Sequence, residues 1–482
     1  MIRDKILLFF ICCAFSPLAE AQTAIERFLQ APYMQGASFS LLVKEVESGK
    51  TVYSYDPERL LTPASVLKAV TTATALEVLG VDYRYPTVLE YDGTVRDGVL
   101  QGNLYIRGSG DPSLGSAYLK IPFLQNWLDA LQKAGIRRIA GSVIADERVF
   151  DAEGISPKWL REDIGNYYAA GCYGLSVFDN CYRLVLRSGA VGTRPEVVRT
   201  EPPMPLRFEN YLETLAVRAD SVYILGMPFD SVRYLYGALP PHRERCVVKG
   251  DMPDPPLFLA AYLTQQLRAQ GIRVEGAPSC YRRERRQGRW KEQKRTELVT
   301  TYSAPLRELV RVCNHVSHNL YADAFLKTIG LRLSSESAQK GASFARSGSA
   351  MKSYWIGNGL EAARQQIFDG SGLAPTDKLS ASFLVEVLRY MAVHSAASDA
   401  FIASLPEVGR EGSVRNFLKG TAWEGHARLK SGSMSGVRCY AGYLEQGGKR
   451  YAIAIMVNNF SGKAGRVTRG LEQLMLQLTI DN

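Results

Sequence analysis

Histidine is scarce in this chain: five residues in 482, and no cluster of His, Cys, Asp or Glu has the spacing of a metal-ligand set. A zinc-dependent hydrolase is therefore excluded as a first reading, and no cofactor motif replaces it. Also missing are internal repeats, low-complexity tracts and, beyond the first residues, any apolar run near the ~20 residues needed to span a bilayer. The last apolar segment, Leu471 to Ile480, is short and interrupted by Glu472, Gln473 and Gln477. Acidic character is lacking too, with 58 Lys and Arg against 48 Asp and Glu and a formal charge of +10. A basic surface of this kind attracts polyanions.

The N-terminus explains where such a surface would act. Arg3 and Lys5 precede an apolar stretch from Ile6 to Phe15, followed by Ala19-Glu20-Ala21. This is a secretory leader spanning 1–21, with the mature chain expected from Gln22. Outside the inner membrane, in the periplasm, the polyanions are wall polymers and lipid headgroups, not nucleic acid, so the protein is expected to be soluble or peripherally associated with membrane or wall. Six cysteines remain after residue 21, and their irregular spacing predicts no essential disulfide framework.

Residues 38–56 read as a hairpin turning at Glu47-Ser48-Gly49-Lys50. A helix is expected directly after it, with Thr62 as N-cap, Pro63 in first position and Val66, Leu67, Val70, Ala73 and Leu76 at helical spacing up to Gly80. From 85 to 295 the texture changes to short strand-like runs separated by loops rich in Pro, Gly and Arg. This region is read as an insertion of two small, mainly β subdomains within a catalytic domain made of 22–84 and 296–482. Helical periodicity returns at Leu306 to Cys313 and Leu320 to Ile329. Two strands around Gly447-Gly448 and a last helix, from about Arg466 to Leu478, close the chain.

Three short elements carry chemistry: Ser65-Val66-Leu67-Lys68, Ser317-His318-Asn319 and Lys430-Ser431-Gly432. Ser-x-x-Lys recurs at Ser337 and Ser349, but only Ser65 follows a hairpin, opens an apolar helix and precedes the other two elements. A serine hydroxyl needs a base, and positions i and i+3 share a helix face, so Lys68 reaches Ser65. To act as base its amine must be neutral, which burial, the helix N-terminus and the cation of Lys430 all favour. Ser317 is placed to pass a proton to a leaving amine, and Asn319 to align a substrate backbone. Lys430, Ser431, Gly432 and Ser433 form a rim for a terminal carboxylate. Backbone N–H groups of Ser65 and Ser433 are expected to make the oxyanion hole.

This triple is the signature of penicillin-binding proteins and related β-lactamases. The wider chain resembles the D-alanyl-D-alanine carboxypeptidase/endopeptidase family, the class C low-molecular-mass penicillin-binding proteins (peptidase family S13). Residues 102–112 (GNLYIRGSGDP), Asn166-Tyr167-Tyr168, Asp369-Gly370-Ser371-Gly372-Leu373, Gly436-Val437-Arg438 and Ala441-Gly442-Tyr443 carry the resemblance, as does the long gap between Ser65 and Ser317. The resemblance implies an α/β (α+β) fold: a β-lactamase/transpeptidase-like core of antiparallel sheet flanked by helices, with the insertion as extra domains. It also implies no cofactor, substrates that are peptidoglycan peptides ending in D-Ala-D-Ala, cleavage through an acyl-enzyme on Ser65, and β-lactams as acylating inhibitors. Met434 is expected beside the long side chain of the stem peptide, with Asp146 or Glu147 holding that side chain's ammonium group. Ser431 and Ser433 stand where the family usually has Thr, and His318 where it has Asp; His318 is read as a neutral filler. The rival readings are a β-lactamase-like hydrolase, although the Glu-x-x-Asn element of class A enzymes is absent, and a penicillin-binding or wall-binding sensor without turnover.

Overall fold

In the computed structural model, which describes residues 17–478, the two ends of the chain meet in one sheet. The described part of the expected leader, residues 17–21, begins helix α1 (Pro17–Leu29); residues 1–16 lie outside the described residues. Strands β1 (Ser38–Glu45) and β2 (Thr51–Tyr55) form the hairpin expected from the sequence. They join three C-terminal strands, β3 (Ala427–Met434), β4 (Val437–Gln446) and β5 (Lys449–Asn458), in the antiparallel order β2-β1-β5-β4-β3. Leu41 stands opposite Ile455, and Lys430 opposite Ala441. Residue 38 therefore lies beside residue 458 although 420 positions separate them, and β3 is left as an edge strand.

Alternation along these strands builds two cores. One face presents Ala441, Ala452, Ala454 and Met456 to a helix layer. That layer contains α2 (Leu67–Leu79), α3 (Leu306–Val316), α4 (Asn319–Leu333) and α5 (Ala381–Val393). Small side chains let the helices lie close. The other face presents Ile453, Ile455 and Val457 to Phe28 of α1 and to Leu471 and Leu474 of α6 (Ala464–Gln477). Each such large aliphatic chain contributes about 1.5–3 kcal/mol on burial. Helix α2 is buried on all sides from Leu67 to Leu76, which explains why, apart from Lys68, its sequence there is apolar or small rather than striped.

The inserted region has more helix than expected. A mixed five-stranded sheet runs in the order 279–280, 143–146, 104–107, 86–91, 296–302, so its last strand reaches Tyr302. Helices Leu124–Lys133 and Pro255–Ala269 cover it with Trp127, Leu131, Leu259 and Leu263. The Leu124, Trp127, Leu128, Leu131 spacing is helical, but short strands on both sides obscure it. A second, wholly β unit is built on strands 196–201, 181–188 and 243–251 around Tyr182, Leu184 and Leu186.

Candidate active site

The site lies where α2 meets the edge strand β3. Ser65 is not in the first turn of α2 as expected, but in a 3-10 turn, Ala64–Val66, that precedes it. Neither does Thr62 cap the helix. Its N–H donates to Asn458 Oδ1 at 2.7 Å and its hydroxyl to the Pro375 carbonyl at 3.0 Å, so it ties the turn to β5 and to the loop after 369. Ala64 has φ +46°, a left-handed value that an alanine adopts only under tertiary constraint. That constraint is visible at two glycines. A Cβ on Gly372 would lie 1.9 Å from the Ala64 carbonyl oxygen, and one on Gly432 would lie 2.5 Å from the Pro63 oxygen. Both sites accept only hydrogen. Ser65 stands three residues before Lys68 where the 3-10 turn runs into α2, so the two share a face, and Lys68 Nζ lies 2.9 Å from Ser65 Oγ.

Lys68 is fully buried. Its other two partners are the Asn319 Oδ1 and the Ser371 carbonyl oxygen, both at 2.6 Å. A carbonyl oxygen can only accept, so these two take N–H bonds and leave the third direction of the amine, a lone pair when neutral, facing the Ser65 hydroxyl. Burial pushes the Lys68 ammonium below its ordinary value, against the pull of buried acidic groups that include Asp323 and Asp369. Lys430, also fully buried, is pushed well below by burial and then by the positive charge of Lys68. It donates to Ser317 Oγ at 3.0 Å and to the Ser431 carbonyl at 2.7 Å. The structure thus joins two serine–lysine pairs, with Asn319 touching the first.

Ser317 ends α3 in the left-handed conformation, φ 58° and ψ 46°, with its N–H on the Cys313 carbonyl. Asn319 opens α4, and its amide donates to the Tyr168 carbonyl at 2.7 Å. On β3, Lys430, Gly432 and Met434 share one face and Ser431 and Ser433 the other. The Ser431 hydroxyl meets that of Ser413 at 2.7 Å, and Ser433 is exposed. Met434 is half-buried against the helix-side core.

Several of these residues had no local signal. Ser371 contributes only a carbonyl, held because the buried Asp369 carboxylate accepts the N–H groups of Ser371, Gly372 and Ala374 and the indole N–H of Trp159. The Asp369 loop therefore forms the floor under Lys68. Tyr168 belongs to the Asn166-Tyr167-Tyr168 segment, which carries the resemblance without an assigned role, and Ser413 lies in a segment for which the sequence offers no motif. By contrast, Ser337 has no lysine partner, since Lys340 bonds Glu336, and Ser349 lies in helix Phe344–Gly357.

Asp146 and Glu147, expected to hold a substrate ammonium, are engaged within the inserted region and lie away from this site. Asp146 is buried and paired with Arg295 at 2.8 Å. Glu147, pushed up to about 7 by burial, accepts the N–H groups of Tyr281 and Arg282. Neither borders the cavity of about 270 Å³ that opens on Ser317 and Asn319. The carboxylates tied to that turn are Asp179, 3.5 Å from His318 Nε2, and Asp163, which accepts the Tyr168 hydroxyl at 3.0 Å.

An antiparallel sheet between helix layers, with a lysine-bound serine turn against its edge strand, is the architecture of the penicillin-binding serine peptidases. Penicillin binding protein 4 from Haemophilus influenzae shares it, with a TM-score of 0.79 over 94% of this chain and 98% of that one, at 22% identity. The same protein solved with a novel β-lactam superposes with a TM-score of 0.74 at 20% identity, again over 94% and 98%. In sequence, the chain is 28% identical to a D-alanyl-D-alanine carboxypeptidase from Actinomadura sp., covering 93% of this chain and 82% of that protein. It belongs to the D-Ala-D-Ala carboxypeptidase 3 (S13) family, whose model matches residues 21–477.

Proposed function

We propose that this protein is a serine-type D-Ala-D-Ala carboxypeptidase of the cell wall, acting through an ester on Ser65. The observation that carries the reading is the Lys68 amine, buried, depressed in pKa, and oriented by two obligate acceptors so that its free direction meets the Ser65 hydroxyl. In the forward step Lys68 takes the Ser65 proton while Oγ bonds to the carbonyl carbon of the penultimate D-alanine. The C–N bond breaks, and the departing D-alanine amine receives a proton from the lysine pair through Ser317. Water then attacks the ester carbonyl and gives its proton to Lys68, which passes it to Ser65 Oγ as the C–O bond breaks and the acid product leaves, restoring the hydroxyl and the neutral amine. Backbone N–H groups of Ser65 and Ser433 stabilise the oxyanion. Lys430 holds Ser317 by an N–H donor, and the Ser431 and Ser433 hydroxyls of β3, with Ser413 beside Ser431, give the substrate carboxylate donors.

The same ester forms with a β-lactam, whose amide mimics the D-Ala-D-Ala end, and cutting cross-links by DD-endopeptidase action uses the same atoms with a larger leaving amine. Export to the periplasm is supported by the leader pattern of residues 1–21. The test is a labelled penicillin and a stem peptide ending in D-Ala-D-Ala. Wild type takes one label on the peptide containing Ser65 and releases D-alanine; Ser65→Ala does neither. A label on Ser337 or Ser349, or labelling without any release of D-alanine, refutes the reading, the latter in favour of a sensor.

A further inference from the structure

His318 sits between Ser317 and Asn319 and differs from the residue usual in the family, yet it is neither exposed nor idle. Its ring lies 4.3 Å from that of Tyr321 and 5.5 Å, edge-on, from that of Tyr118. Its Nε2 is 3.5 Å from Asp179 Oδ1, with both side chains only 13% exposed. Its backbone N–H donates to the Cys313 carbonyl, the same oxygen that accepts the Ser317 N–H.

The partner is delivered at a cost. Phe178, Asp179 and Asn180 have φ of 52°, 58° and 50°, three successive left-handed residues. Such conformations cost about 1–3 kcal/mol each and persist only where the surroundings enforce them. Here Asn180 closes the loop, accepting from the Val177 N–H and donating to the Gly171 carbonyl, while Asp179 Oδ2 accepts from the Ala117 N–H. The loop belongs to the inserted region, so His318 is where that region grips the turn carrying Ser317.

We propose that His318 and Asp179 form a clamp that holds Ser317 in its left-handed conformation, making His318 a positioning residue for acylation. The inference rests on Ser317 serving the proton relay. The contact is 3.5 Å and joins two side chains that are each only 13% exposed, so water competes little for it. Burial raises the Asp179 carboxyl, but the hydrogen bond from and charge of His318, with bonds from Ser116 and Ala117, bring it below its ordinary value, so it remains an anion. The other groups facing the ring stay neutral at moderate pH: burial raises Tyr321, Tyr118 and Cys313, the last to about 12. Lys249 lines the same cavity from strand 243–251, and Lys430 lies beyond Ser317.

The experiment is a double-mutant cycle on penicillin acylation with His318→Gln, Asp179→Asn and both together, with the acylation rate constant measured separately from the affinity of the non-covalent complex. Each single change should slow acylation roughly three- to fivefold, with little effect on binding and with the double no worse than either single, the size of a partly exposed ion pair. Absence of coupling overturns the proposal, as does an equal loss in binding and acylation, which a purely structural role would give. Exchanging the partners, His318→Asp with Asp179→His, should restore acylation relative to His318→Asp alone, and failure to do so also counts against it. Ser317→Ala separates the two readings. If it slows acylation while the cycle shows no coupling, only the clamp falls; if it acylates normally, both the relay and the clamp fall.

Discussion

Replacing Lys68 by Arg isolates proton removal from charge. Arginine keeps a cation in place and can still donate to Asn319 Oδ1 and the Ser371 carbonyl, but its guanidinium stays protonated above pH 12 and offers no lone pair. A positioned general base contributes about 10²–10⁴ in rate, or about 3–5 kcal/mol at 1.36 kcal/mol per decade. Because Lys68 is fully buried, the larger head also strains the site, at about 1–3 kcal/mol of stability. Acylation should therefore fall by at least a hundredfold while the protein still melts cooperatively. The assay is the rate of covalent labelling by a fluorescent penicillin, paired with a thermal melt. The wild-type rate should fall with acidification through a Lys68 pKa that burial has lowered, since only the neutral amine accepts the proton. Lys68→Arg should lose that limb. Labelling by Lys68→Arg within threefold of wild type would refute the base assignment and transfer the role to Lys430 acting through Ser317.

Gly432→Ala places a methyl 2.5 Å from the Pro63 oxygen and 2.9 Å from the Val66 nitrogen, so the nucleophile turn must shift; labelling should drop more than tenfold, and an unchanged rate would show that β3 does not fix Ser65. Ser371→Ala keeps the carbonyl that Lys68 uses and should leave acylation within threefold, whereas Asp369→Asn, which weakens the cradle of three N–H groups, should lower both acylation and melting temperature. A stem peptide with a free side-chain amine should be cleaved faster than D-Ala-D-Ala itself, because remote binding energy is expressed in the chemical step. Asp146→Asn should leave that preference unchanged, checked by D-alanine release; equal wild-type rates on the two substrates would discard remote recognition.

What the sequence determined by itself was local or cumulative. The hairpin before Ser65, the spacing of Ser65 and Lys68, and the order of the three motifs are set by neighbours along the chain, where turn chemistry and side-chain period act directly. The two C-terminal strands are of the same kind. Tertiary structure decided what depends on distant backbone. Lys68 meets a partner 251 residues away at Asn319 and another 303 away at Ser371, the latter through a carbonyl that every residue type carries. Ala64 is held left-handed, and Ser65 put in a 3-10 turn, by Gly372 and Gly432 closing in from other elements. Asp146 and Glu147 looked available because sequence shows a charge but not its partner; folding gave them to Arg295 and to the N–H groups of Tyr281 and Arg282. His318 looked like filler for the converse reason. Its meaning lies in Asp179, 139 residues earlier, and a pair at that separation exists only once the chain has folded.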